Sequence, residues 1–197
     1  YRIQAWLQPV LVRLGFREPP HGAHSDDHEV RLAILGFHRI ASSLLYNIAR
    51  SDPALVKETL VVDFNVALHG KIRQLGAHVE YGDLSNPDTL HHAGLDRAEV
   101  VLSTVSDDLM RGTNNEKLVA AVRRINPDAL IIANAVNLHD VPLIYEAGAD
   151  YVFMARLDSA AALETAIGQA LNGTLAEYRV ARELEHGKPG SREEVLG

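Results

Sequence analysis

Apolar residues in this chain fall into short runs and helical stripes that alternate along its length. A run from Leu32 to Leu35 stops at Gly36, and an amphipathic segment follows at once, with Ile40, Leu44, Leu45 and Ile48 spaced for one helix face. The alternation then repeats. It predicts strands at residues 30–35, 59–64, 78–81, 100–105, 130–135 and 151–154. Between them it predicts helices at residues 39–50, 66–75, 87–93, 113–125 and 141–147. The strands are short, β-branched and apolar on both faces, as strands of a buried parallel sheet must be. Strict alternation of this kind gives an α/β fold, a doubly wound parallel six-stranded sheet with right-handed crossovers.

After the sixth strand, LDSAAALETAIGQALNGTLAEYR continues as one helical pattern with no seventh strand to return to. Ala161, Ala162, Thr165, Ile167, Ala170 and Leu171 give it a small-residue apolar face. Residues 156–181 are therefore expected to form a C-terminal crossover helix that packs on a second subunit, making a homodimer. Residues 182–197 read as a polar, disordered tail. At the other end, residues 1–16 carry Ile3, Leu7, Val10, Leu11 and Leu14 around Pro9, an amphipathic helix expected to dock. Residues 17–29, rich in Pro, Gly, His and Asp, read as a linker. The domain proper spans residues 30–155.

Composition narrows the chemistry. The 197 residues include no cysteine, which excludes a disulfide framework, a thiolate metal site and a cysteine nucleophile. A net charge of -7 argues against non-specific binding to nucleic acid. No apolar run approaches bilayer length, and no signal-peptide pattern is visible. The chain opens on Tyr1 rather than Met, so it is expected to be a fragment or processed product with a membrane portion upstream.

The turn after the first strand carries the chemistry. A dinucleotide-binding turn reads G-x-G-x-x-G between strand and helix. Here it reads Gly36-Phe37-His38-Arg39-Ile40-Ala41. The first glycine is kept, His38 takes the second place and Ala41 the third. The helix start presents free N–H groups and a partial positive charge, for which phosphate is the natural ligand. A plain strand-to-helix turn that binds nothing is the competing reading. Asp63, with Phe64 beside it, closes the second strand, where an acid accepts hydrogen bonds from ribose hydroxyls. A solvated strand-end aspartate is the alternative, and Asp52-Pro53 upstream reads as a surface turn. Gly82, Asp83 and Leu84 follow the third strand, beside where an adenine would lie; Asp83, Ser85 and Asn86 are equally good helix caps before Pro87. Thr104, Ser106 and Asp107 follow the fourth strand on the same edge, and Arg111 is either within reach of a phosphate or solvated. His21, His24 and His28 have metal-ligand spacing, but a flexible linker is the better reading. No Ser-His-Asp order, HExxH pattern, Walker lysine or reductase tyrosine–lysine pair is present, so no catalytic site is assembled.

Taken together, these segments resemble the RCK or KTN domain, also called the TrkA N-terminal domain. This is the cytosolic regulatory module of potassium channels, Trk uptake systems and Kef-type cation:proton antiporters. The resemblance covers about residues 30 to 171. It rests on the Gly36 turn, on VVDFN at the second strand, and above all on HVEYGDLSNPDTLHHAGLDRAEVVLSTVSDD. Asn115, the run Arg123-Arg124-Ile125-Asn126-Pro127, and Ala147-Gly148-Ala149-Asp150 before Val152 continue it. The resemblance implies a Rossmann-like sheet and a bound adenine nucleotide, AMP or NAD(H). Gly36 to Ile40 would cradle phosphate and ribose, Asp63 would hold ribose hydroxyls, and Asp83 and Leu84 would contact adenine. Thr104 to Asp107 would flank the far side, and the helix from Asp158 onward resembles the family's dimerising crossover helix. Two features depart from the pattern. His38 and Ala41 replace glycines, and an imidazole at 38 crowds a second phosphate, so AMP is expected to fit better than NAD. The Arg-Gly-Thr insertion in SDDLMRGTNNEKL resembles that of antiporter-attached domains. The implied function is a nucleotide-sensing gating domain on the cytoplasmic face of the inner membrane, covalently attached to an upstream monovalent cation:proton antiporter, and not an enzyme. A soluble NAD-dependent oxidoreductase fragment and a dimerisation scaffold with an empty cleft are the alternatives.

Overall fold

The computed structural model describes residues 29–196. The expected helix at residues 1–16, the linker as far as residue 28 and the three linker histidines lie outside them. Six strands form one sheet: β1 Leu32–Leu35, β2 Thr59–Asp63, β3 His78–Tyr81, β4 Val100–Ser103, β5 Leu130–Asn134 and β6 Tyr151–Phe153. Their order is β3-β2-β1-β4-β5-β6, with every neighbouring pair parallel. This is the Rossmann order, and the expected fold class holds. The chain reverses direction across the sheet between β1 and β4, which opens a crevice at the carboxyl ends of those strands. In register, Leu35 at the end of β1 lies opposite Val62 and Ser103.

The helices are α1 Arg39–Ser51, α2 Pro53–Lys57, α3 Val66–Gln74, α4 Pro87–His92, α5 Asn115–Ile125, α6 Asp140–Glu146, α7 Ala155–Leu171 and α8 Leu175–His186. Strand side chains alternate between two cores. Ala33 and Leu35 join Leu90, Leu118, Val122, Ile131 and Ile144 on one face. Leu32 and Ile34 join Phe37, Ala41, Leu45, Val61 and Ile72 on the other, beneath α1 and α3. Toward β5 and β6 this second face is thinly covered. Ile132 and Phe153 are half-buried, while Leu130 and Tyr151 are 57% and 54% exposed.

Three features differ from the sequence pattern. The expected turn at Asp52-Pro53 is the start of a short helix, because Asp52 accepts the N–H of Leu55 at 3.1 Å and Pro53 takes the first helical position. The single long helix after β6 is broken in two, because Gly173 adopts a φ of +76° just past Asn172. The tail is ordered. α8 runs to His186, and residues 192–196 return to lie along α1. Val195 is only 5% exposed within the second core, a burial worth about 1.5–3 kcal/mol. The polar composition of the segment hid this one apolar anchor. None of the helices among the described residues is long and apolar enough to cross a membrane.

Candidate functional site

Gly36 ends β1 with a φ of +74°, and its N–H donates to Val62 O at 2.8 Å. A Cβ on it would lie 2.2 Å from Val105 Cγ2 and 3.2 Å from Leu84 Cδ1. Both the backbone conformation and the space therefore require glycine. His38 is the N-cap of α1 but makes no side-chain capping bond. Its φ of −127° and ψ of −167° are extended backbone that any residue adopts, so the second fingerprint glycine is not conformationally needed. Ala41 is fully buried, and its small side chain keeps α1 close to the sheet. The first N–H groups of α1 are left without an intrahelical or side-chain acceptor, at the positive end of the helix dipole.

Asp63 fixes this turn from below. Its Oδ2 accepts the N–H of Phe37 at 2.7 Å and its Oδ1 accepts the N–H of Asn65 at 2.7 Å. It is 4% exposed. The acid that the sequence points toward ribose thus ties the β1 turn to the start of α3. Each carboxylate oxygen retains a further lone-pair position. Asn65 in turn caps α3 by accepting from Ala67 N–H at 3.2 Å.

Asp83 is exposed, and its Oδ1 accepts both the backbone N–H of Ser85 at 2.9 Å and its hydroxyl at 2.7 Å. Those hydrogen bonds, the backbone one foremost, hold the carboxyl below the usual range. Asp83 is therefore ionised and accepts only, which suits an amino group or a hydroxyl rather than a phosphate. The cap of α4 is Asn86, which accepts from Asp88 N–H at 3.0 Å. Gly82 is packed so tightly that a Cβ would meet Val62 Cγ1 at 2.3 Å.

The crevice has two lobes that share Phe64, Val105 and Leu109. One, of about 590 Å³, is lined by Gly36, Tyr81, Asp83, Leu84, Ser85, Met110, Arg111 and Thr113. The other, of about 760 Å³, is lined by Phe37, His38, Arg39, Ser43, Asn65, Leu68, Glu194 and Leu196. Eight of the residues read from the sequence are thus brought together: Gly36, Phe37, His38, Arg39, Phe64, Asp83, Leu84 and Arg111. Ile40 faces a shallow depression along α1 instead. Asp63 and Gly82 lie behind the walls. Thr104 is 3% exposed, and its hydroxyl has no partner among the described residues. Ser106 starts the 3₁₀ turn of Asp107–Leu109, and Asp107 Oδ1 accepts Asn115 N–H at 2.9 Å and Asn115 Nδ2 at 2.7 Å.

Asn115 is fully buried and also receives the Ser103 hydroxyl at 2.6 Å while donating to Val105 O at 2.9 Å. It locks the loop after β4 under the cleft, a brace that nothing in local patterning marks. Glu194 and Leu196 escape a reading of the sequence, because 151 and 154 positions separate them from the α1 residues they bond and their segment looks like a tail. Among the described residues no group of three acidic, histidine or cysteine side chains is placed to hold a metal.

Comparison with known proteins places this geometry among relatives. The family model of the TrkA-N domain matches residues 32–155. A curated relative named as a cation/proton antiporter, YbaL of Escherichia coli K12, is 29% identical over 121 residues, covering 61% of this chain and 20% of its own length. The chain thus spans about a fifth of that relative. The crystal structure of the TrkA-N domain of the E. coli inner membrane protein YbaL superposes with a TM-score of 0.60 at 24% identity, covering 71% of this chain and 98% of that one. The GsuK channel bound to NAD superposes with a TM-score of 0.53 at 24% identity, covering 76% of this chain and 26% of that one; GsuK has also been seen bound to ADP. At these identities the solved structures speak for the fold.

Proposed function

The chain belongs to the TrkA-N domain family, and on that premise we propose that it is a nucleotide-sensing gating domain of a monovalent cation:proton antiporter. One observation carries the reading. The Gly36 turn, pinned to Asp63, leaves the start of α1 uncapped and opens onto a cleft of nucleotide size. A phosphate is held there by backbone N–H groups and helix dipole, without needing a lysine. Asp63, buried behind the turn, serves the site by holding the Phe37 and Asn65 N–H groups that shape it. Asp83, ionised at neutral pH, accepts from the adenine amino group or a hydroxyl at the far end. Phe64 and Tyr81, 67% and 61% exposed, offer faces for the base.

AMP and NAD(H) are the candidate ligands; relatives of this fold include a channel bound to NAD and to ADP. On this reading the protein acts by binding, not by catalysis; the Ser43–Glu194 contact beside the turn is tied up with Arg192. Two copies associate through α7, and occupancy of the clefts biases their arrangement at the cytoplasmic face of the membrane carrying the transporter. Calorimetry of the 197-residue chain against AMP, ADP, NAD⁺ and NADH tests the reading. Saturable binding of at least one with unit stoichiometry is expected. No heat with any of them would leave a dimerisation scaffold, and hydride transfer from NADH would restore the oxidoreductase.

A further inference from the structure

The second lobe of the cleft is partly built by residues that follow the last helix. Glu194 and Leu196 line it together with His38 and Arg39. The segment is not loosely laid down. Val195 is 5% exposed in the core under α1, and Leu196 N–H donates to the buried Ser42 hydroxyl at 2.8 Å. Glu194 accepts the Ser43 hydroxyl at 2.7 Å. Arg192 pairs with Glu194 but lies on the α1 side, its guanidinium 4.4 Å from the Tyr46 ring centroid and donating to Asn47 Oδ1 at 3.0 Å. The acid of this ion pair borders the lobe, and the guanidinium also donates to Ser43 O at 3.3 Å.

We propose that residues 192–196 are a built-in strap that selects the ligand's phosphate content. Docked, it admits a nucleotide with one phosphate; an occupant that carries a second phosphate into the further lobe displaces it. The inference rests on the nucleotide reading above and adds what that reading leaves open, which of the candidates the cleft prefers. The physical basis is steric: the seated strap, held by Val195, the Ser43 bond and the Arg192–Glu194 pair, forms part of the wall of the further lobe, where an occupant extending past the turn meets it. Coupling is reciprocal: whatever a dinucleotide loses by undocking the strap, a docked strap withholds from the dinucleotide.

The test uses the full chain and three probes, AMP, ADP and NAD⁺. Calorimetry compares wild type with Glu194→Gln, which keeps the shape and removes the charge, and with Val195→Asp, which expels the anchor. Amide exchange of the peptide containing residues 192–196 reads the strap directly. The NAD⁺-to-AMP affinity ratio is expected to rise about tenfold in either variant, and the ADP-to-AMP ratio to rise with it. NAD⁺ is expected to speed exchange of the wild-type strap, whereas AMP leaves it protected. AMP binding with ratios unmoved in both variants, or a strap equally protected under saturating NAD⁺ and AMP, overturns the strap alone. Failure of the wild type to bind any of the three overturns the nucleotide reading and the selectivity with it. A Val195→Asp chain that does not fold leaves Glu194→Gln and the wild-type exchange to decide.

Discussion

At Gly36 a single added carbon would strike Val105, and the backbone sits where L side chains are strained. That requirement was legible, because an apolar run stopping at glycine before a helical stripe has few other meanings. The use made of Asp63 was not. Position alone puts a carboxylate at the crevice; only the folded chain turns both its oxygens onto the N–H groups of Phe37 and Asn65. Asp63→Asn sets an amide NH₂ against one of those donors in a buried site. It is expected to cost about 1–3 kcal/mol of stability, measured by urea unfolding, and to weaken AMP binding as the turn loosens. Unchanged stability would mean that the turn holds without the brace. His38 separates sterics from conformation. Since its backbone is extended, His38→Gly changes the bulk at the helix start without relieving strain. The NAD⁺-to-AMP affinity ratio measured by calorimetry should rise; a ratio that stays put would clear the imidazole of any crowding. Asn115 shows the same limit of local patterns, since its four hydrogen-bond contacts reach residues 8 to 12 positions away through the fold.

Among the elements, the six strands and their intervening helices were legible because each buries a face whose period the sequence displays. The break in the last helix was not, since an isolated glycine is tolerated inside helices and Gly173 is marked only by its neighbour Asn172. The result is α7, a seventeen-residue helix with no buried residue. Its Leu163, Ile167 and Leu171 are 64%, 60% and 84% exposed, and the sheet face at Leu130 and Tyr151 is open as well. A lone subunit presents both surfaces to water, and apolar patches of this kind mark interfaces. In a two-fold pair each helix has the other copy to cover. Ala162→Glu with Ile167→Glu should therefore yield monomers by light scattering with the helix content unchanged, because both positions lie on exposed helix surface. A wild-type chain that is already monomeric at high concentration would rule the pairing out.

Across the whole molecule, the cleft and the exposed helices are joined by the chain itself: α7 leads to α8, and α8 to the strap seated on α1. The strap that borders the cleft is thus one end of a continuous segment whose other end is the exposed helix α7. The strap's own anchorage depends on pH. Burial, the largest influence on Glu194, opposes its charge, but the Ser43 hydrogen bond and the adjoining Arg192 together outweigh it and hold the carboxyl below its ordinary value of 4.5. His38 and Arg39 share the lobe with it. A carboxyl depressed in the folded state stabilises it fully above the unfolded value, and that contribution fades as pH drops through the folded value. Glu194→Gln mimics the protonated form at every pH. The difference in urea-unfolding free energy between wild type and Glu194→Gln should therefore be constant from pH 7 to about 5. It should then shrink as pH falls below 4.5 and through the lowered folded value, although other carboxylates, Asp83 among them, lower the stability of both chains alike. A difference that does not change across this window would mean that the charge of Glu194 contributes nothing to seating the strap, leaving Val195 alone to hold it.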